Sequence, residues 1–368
     1  MERILTDKMN YLSDQLGYNV YLVTYEQNAQ SFSFPLSPRI KHRDLGIMFG
    51  LNSRYSLFKH LISYLKMRKI FKNKLYEVVS DINPDIIVST NYSYMQLDLI
   101  INASKNSKLI LETHISKKVF CKSPEIKSSF FKKKIAQIYD CYMMFTVRKF
   151  DVLVTLTKED AKKWGHIMDV VTIPNVLTLY PETIASLDEK KIISVGRLFL
   201  QKGYDLLIQA WLNVITEYPD WQIHIYGDGQ CKITLEKLIK DAHIENSFIL
   251  HNATSTIYDE YPKYSIYVMS SRFEGFGLVL LEAMSCGLPC ISFDCPSGPS
   301  EIINDGVDGI LVENGNIQKM SKAICHLIED EVARKEMGRK ARENVIRYSK
   351  ENVMQQWDNL FKKLLLEN

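Results

Sequence analysis

The 368 residues are too many for one ordinary hydrophobic core and suit two α/β domains. Hydrophobic residues make up 46% and charged residues 24%, which excludes a disordered chain, and no apolar run approaches the roughly 18 residues of a membrane-spanning helix. The net charge of +3 hides an asymmetry, because residues 1–175 carry 26 Lys/Arg against 16 Asp/Glu while residues 176–368 carry 20 against 27. A basic half joined to an acidic half turns the first half toward something anionic: nucleic acid, a phosphorylated ligand or an anionic membrane. The opening MERILTDKMN lacks the apolar core of a secretory signal, and seven cysteines without paired spacing suit free thiols, so a cytoplasmic setting is expected.

In chain order, a helical pattern (Ile4, Met9, Leu12, Leu16) comes first, then Gly17 and a strand over Asn19–Thr24. A doubly wound domain normally opens on a strand, so the first strand and the turn after it are expected to be missing. Further strands are predicted at Asp85–Ser89, Lys108–Glu112, Val152–Thr155 and Val171–Ile173. Pro174–Lys190, with two prolines and no period, reads as a linker. Beyond it, strands are predicted at Lys191–Val195, Gln222–Tyr226, Phe248–Leu250, Ile266–Met269, Pro289–Phe293 and Ile310–Val312. Helical patterns such as Leu206–Tyr218 and Ile317–Ile328 separate them, and an amphipathic helix over Asn352–Leu366 closes the chain. Alternating strands and helices imply parallel sheets covered on both faces. The expected domains are 1–175 and 176–350, with 351–368 as a terminal helix crossing back to the first.

The densest chemical signal is Arg272-Phe-Glu274-Gly-Phe-Gly277, with Glu282 eight residues after Glu274, in a strand–turn–helix context. A glycine-rich turn at a helix start exposes backbone N–H groups and the positive end of the helix dipole, a site for phosphate. Glu274 at its mouth suits sugar hydroxyls, and Glu282 one turn into the helix suits a ribose diol. The plainer reading, two solvated surface glutamates, explains each singly but not the spacing of both. The second signal is Gly196-Arg197…Lys202-Gly203, two cations in the loop after a strand, placed to clamp a diphosphate. An ordinary solvated pair competes evenly with that until the glutamate motif is set beside it.

Gly196-Arg197…Lys202-Gly203 together with Glu274-x7-Glu282 resembles the GT-B retaining glycosyltransferases of family 4, tightly over the second half and loosely over the first. The resemblance implies two doubly wound Rossmann-like domains facing a central cleft, with donor bound by the second and acceptor by the first. It implies that Arg197 and Lys202 neutralise the donor pyrophosphate beside Gly196, and that Glu282 holds the ribose. It gives the transferred sugar to Glu274 with the backbone of Gly275 and Phe276. The turn at Gly277 leads to Leu278 and Val279, whose amides would face the phosphates. It also implies no obligatory metal and no other cofactor, with retention by same-face attack and no enzymic nucleophile; the chain holds no Asp-x-Asp pair.

In the first half, Leu111-Glu112-Thr113-His114 ends a predicted strand, where family members often place a histidine near the reacting centre; His114 is therefore a candidate catalytic residue beside Glu274, Arg197 and Lys202. A histidine satisfied within its loop is the alternative. Glu2-Arg3 resembles the close of the family's Gly-Gly-x-Glu-Arg turn, again placing the first strand and turn outside the chain. Gly227-Asp228-Gly229 lacks the third glycine of a dinucleotide fingerprint and reads as a turn into the next helix. Glu301 either contacts ligand or is a carboxylate favoured at a helix start.

Two basic stretches explain the charge asymmetry. Lys59 to Lys74 holds six Lys/Arg and no acid, and Lys117 to Lys134 holds seven lysines and one acid with Phe120, Phe130 and Phe131 among them. Solvated helix faces account for either alone; together, on the acceptor side, they suit an anionic membrane surface. No nucleic-acid motif accompanies the charge. The expected protein is a glycosyltransferase. It would move a hexose or N-acetylhexosamine from a nucleotide sugar, UDP-linked, to a glycan or lipid-linked acceptor. The setting implied is bacterial surface-polysaccharide assembly, capsule or lipopolysaccharide, at the inner face of the cytoplasmic membrane. A catalytically inactive GT-B protein that binds a partner or lipid is the other reading.

Overall fold

The computed structural model describes residues 2–27, 30–49, 57–90, 96–104, 106–117 and 130–367, apart from the side chains of 57–61 and 130–132. The chain divides into two compact units: 2–155 with 160–173 and 350–367, and 156–159 with 174–349.

Unit 1 begins with α1 (Glu2–Asp14), whose Ile4 and Leu12 are buried, followed by β1 (Tyr21–Thr24) and β2 (Lys41–Asp44). These two strands pair in parallel, Tyr21 opposite Lys41. β2 was not anticipated: its sequence, Lys-His-Arg-Asp, has no apolar alternation because it is an edge strand that buries no complete face. α2 (Leu57–Ile82), β3 (Ile86–Thr90), α3 (Leu97–Ala103), β4 (Lys108–Glu112), α4 (Phe130–Val147), β5 (Val152–Thr155), α5 (Lys158–Trp164) and β6 (Val170–Thr172) follow. The last four strands form a parallel sheet ordered β3-β4-β5-β6. Leu109, Leu111 and Leu153 of this sheet pack with Met143 and Val147 of α4 and with Trp164.

Unit 2 contains β7 (Lys191–Val195), α6 (Tyr204–Glu217), β8 (Gln222–Tyr226), α7 (Lys232–Asp241), β9 (Phe248–His251), α8 (Ile257–Glu260), β10 (Ile266–Met269), α9 (Leu278–Ser285), β11 (Cys290–Asp294), α10 (Pro299–Ile302), β12 (Gly309–Glu313), α11 (Ile317–Glu329) and α12 (Glu331–Asn344). Its six strands lie parallel in the order β12-β11-β10-β7-β8-β9. Successive residues face opposite layers: Ile192 and Val268 enter one core, Ile193, Tyr267 and Met269 the other. The strands therefore read as continuous apolar runs. This is a doubly wound sheet, and its order reverses between β7 and β10, the switch point at whose carboxyl ends such sheets bind ligands.

α13 (Lys350–Leu366) belongs to unit 1 and packs on α1. Tyr18 donates to Asp358 at 2.8 Å and meets the Phe361 ring edge-on, and Lys350 pairs with Asp7 at 3.0 Å. Among the described residues no helix is long and apolar enough to cross a membrane, and the six described cysteines are free.

Candidate functional site

The residues flagged in the second half converge on the switch point of unit 2. β7 runs out at Val195, and the loop behind it carries Gly196, Arg197 and a short 3-10 turn over Leu200–Lys202 before α6 begins. Because β10 is the neighbour of β7, its own loop, Ser270 to Gly277, lies alongside. The two loops are tied by side chains. Ser270 donates to the Lys202 carbonyl at 2.9 Å, and Arg272 donates in a fork to both oxygens of Asp205 at 2.8 and 2.6 Å. Arg272 thereby holds the Asp205 carboxyl below its usual range. Gly203 sits between the loops with φ +65, and a Cβ there would come within 2.0 Å of the Ser270 carbonyl oxygen. Only glycine permits that approach.

Lys202 and Glu274 form one unit. The ammonium donates to Glu274 Oε1 at 2.7 Å, with the two side chains 14% and 8% exposed. Ser271 donates to the same oxygen at 2.5 Å. Gly196 lies directly against this pair, since a Cβ on it would be 3.0 Å from Lys202 Cε. A cation and a carboxylate held together at the rim of a sheet give adjacent positions for an anionic group and for hydroxyl donors. The sequence reading gave Lys202 and Glu274 separate tasks; the structure brings them into contact. Arg197 is exposed, its guanidinium 5.3 Å from the Phe199 ring centre and its carbonyl accepting from the Phe199 amide at 2.7 Å.

α9 starts at Leu278 with Gly277 as its N-cap and no side-chain cap. Its first-turn amides, those of Leu278 and Val279 among them, carry the positive end of the dipole uncapped. Phe276 is buried against Tyr348 at 5.7 Å between ring centres, so it and Gly275 can offer only backbone to a ligand. Glu282 lies in the second turn of α9 and accepts from the Tyr261 hydroxyl at 3.1 Å. Burial, and then the Glu282 charge, push that phenol well above its usual pKa.

Other flagged residues have local roles. Asp228 of the Gly227–Gly229 turn accepts from the Ala253 amide at 2.9 Å through its carboxylate and from the Leu198 amide at 2.8 Å through its carbonyl, so this turn braces the β7 loop and leads into α7. Glu301 accepts from the Glu159 amide at 3.1 Å, and the Glu159 carboxylate accepts from Ser297 N at 2.7 Å.

In unit 1, His114 follows β4 with its side chain buried and Nε2 3.4 Å from Glu112 Oε1. Glu112 is paired with Lys8 of α1, and the Lys8 ammonium lies 4.1 Å from the centre of the Trp357 ring. Burial alone would raise the Glu112 carboxyl, but Lys8 and then His114 hold it down to about 2. Sequence reasoning missed Lys8, which comes from a helix 104 residues away. It also missed Ser270, Ser271 and Asp205, although two serines directly ahead of Arg272-x-Glu274 were a signal that the loop is tied down. Residues 118–129 of the stretch Lys117–Lys134 lie outside the described residues, Phe120 included.

Residues 180–344 match the family model described as glycosyl transferases group 1. A Haemophilus influenzae protein named an uncharacterized glycosyltransferase is 29% identical over 364 residues, 98% of this chain and 95% of that protein. The poly(ribitol-phosphate) alpha-N-acetylglucosaminyltransferase of Staphylococcus aureus is 32% identical over 224 residues, 60% of this chain and 45% of its own length. The chain thus spans nearly all of the first relative and under half of the second. Among solved structures, the lipopolysaccharide outer core galactosyltransferase WaaB in its apo form superposes with a TM-score of 0.74 at 20% identity, over 98% of this chain and 95% of that one. The chain has the GT-B fold, and the match of residues 180–344 to the glycosyl transferases group 1 model, with the named relatives, supports a transferase.

Proposed function

We propose that this chain is a retaining glycosyltransferase. It would move a hexose or N-acetylhexosamine from a UDP-sugar to a glycan or lipid-linked acceptor in bacterial surface-polysaccharide synthesis, at the inner face of the cytoplasmic membrane. The observation that carries the reading is the Lys202–Glu274 pair at the β7/β10 switch point, beside the uncapped start of α9.

Cleavage of the anomeric C–O bond leaves a sugar with oxocarbenium character and a nucleoside diphosphate carrying new negative charge. In this reading Lys202, Arg197 and the first-turn amides of α9 supply the cations and donors that meet that charge. This is the reason to expect turnover without an obligatory divalent ion. Glu274 takes the hydroxyls of the transferred sugar and Glu282 the ribose diol. His114 serves the acceptor side, its imidazole oriented by Glu112. The Staphylococcus relative's name, which joins an N-acetylglucosaminyl group to a polyol-phosphate polymer, supports the donor and acceptor classes.

The test is release of nucleoside diphosphate from a panel of UDP- and GDP-sugars by the full chain, with polyprenyl-linked and polymeric acceptors present and with or without a chelator. The reading expects one donor to be consumed, the chelator to have no effect, and product NMR to show the donor's anomeric configuration. Turnover of no sugar nucleotide by folded protein would leave a non-catalytic binder instead.

A further inference from the structure

We propose that the solvent-facing side of α4 is a docking surface for an anionic lipid bilayer. The helix is apolar on two sides. Ala136, Met143 and Val147 are buried against unit 1, which accounts for one face. On the other, Ile135 is 67% exposed, Ile138 69% and Phe145 61%. These side chains span eleven residues, about 15 Å of helix, an exposed apolar line that water disfavours.

Charge selects the occupant. Lys134, Ile138, Phe145 and Lys149 recur at near-helical spacing, so a cation stands at each end of the exposed apolar line. The Lys149 ammonium lies 4.7 Å from the Phe145 ring centre. Between residues 117 and 149 the sequence has nine Lys/Arg against Glu125 and Asp140. α2 repeats the arrangement: Ile62 and Leu65 are 52% and 54% exposed, with Lys66 and Lys69 exposed on the same side. Both helices pack on α3. Apolar side chains flanked by long cationic ones fit a headgroup boundary, where the former enter the acyl region and the latter reach lipid phosphates. A protein partner would have to match the apolar line and carry acids at both ends; an anionic bilayer presents both features everywhere on its surface. The inference rests on the proposed setting at a membrane face, although not on turnover.

The experiment is co-sedimentation of the full chain with vesicles of phosphatidylcholine alone or of phosphatidylcholine mixed equally with phosphatidylglycerol. The wild type is expected to pellet with the mixed vesicles and not with the neutral ones. The double variant Ile138→Ser/Phe145→Ser should lose about tenfold or more in partitioning, and Lys133→Gln/Lys134→Gln should weaken binding at low salt most. Ile233→Ser, which removes an 80% exposed apolar side chain from α7 in unit 2, should bind as wild type. Should the double variant fail to fold, Phe145→Trp gives a second readout: a blue-shifted emission quenched by brominated phosphatidylglycerol. Three results overturn the proposal: no pelleting of wild type with anionic vesicles, equal pelleting of the Ser double variant, or a wild-type dimer in light scattering that the double variant abolishes, which would make a second copy the occupant. Turnover on a water-soluble acceptor, measured without vesicles, reports on the transferase reading alone, so the two can fail separately.

Discussion

Charge and apolar surface are arranged differently in the two units. In unit 2 a single six-stranded sheet has both faces covered, and two ion pairs, Lys202 with Glu274 and Arg272 with Asp205, stand in the loops at the carboxyl ends of two adjacent strands. In unit 1 the described strands fall in two sheets, the buried ion pair Lys8–Glu112 joins a helix to a strand end, and α4 shows a line of apolar side chains to solvent. One arrangement suits a small anionic ligand at a switch point. The other suits a helix-braced domain whose open surface meets something broad. The difference follows from where charges stand relative to strand ends, because the two units share their parallel α/β build.

That contrast can be broken or sharpened by substitution. The largest expected effect is on chemistry: Glu274→Gln should lower nucleotide-sugar turnover about a hundredfold or more in protein that circular dichroism shows to be folded. An unchanged rate would remove the Lys202–Glu274 pair from the mechanism. Next, Lys8→Met leaves the Glu112 carboxylate buried without its cation and should cost about 3 kcal/mol, read from urea unfolding. Glu112 has a folded-state pKa below its unfolded one, so its stabilisation is present above pH 4.5 and is lost as pH falls toward 2. Glu112→Gln should therefore flatten the stability curve across that window; a curve of unchanged slope would contradict the assignment.

His224 of unit 2 marks a milder window. It lies with Nδ1 2.9 Å from His251 Nε2 and is pushed down to about 4 by burial and then by His251. Its folded pKa is depressed, so the folded state favours the neutral ring and loses stability as pH falls from 6.5 to about 4. Hydrogen exchange followed separately in the two units should show unit 2 loosening first on acidification, and His224→Phe should delay it. The smallest effect is expected from Arg272→Lys, which replaces a forked contact, about a third exposed, by a single one and should cost about 1 kcal/mol in the same unfolding experiment.

The sheet of unit 2 was legible because its strands are buried on both faces and must be apolar throughout: Ile192-Ile193 and Ile266–Met269 announce themselves. The charged residues of its site were legible because two glutamates and two cations recur around glycine turns. Their pairing was not, since Lys202 and Glu274 meet only through the strand order, which places β10 beside β7. β2 escaped notice because an edge strand of four polar residues carries no periodic signal. Lys8 did as well, for a buried lysine looks like any solvated helix residue until its partner at the end of β4 is known. The exposed line on α4 was hidden by its own periodicity, because apolar spacing alone reads as core and does not say which of two apolar faces is the covered one.

The central claim is that the loops after β7 and β10 form a site for a nucleoside diphosphate. Calorimetric titration of UDP into the full chain, beside the same titration into Lys202→Met and Arg197→Ala, tests it most directly. The account predicts saturable 1:1 binding to the wild type, weakened about tenfold or more in each variant. Absence of binding, or binding of equal strength in all three proteins, would contradict it.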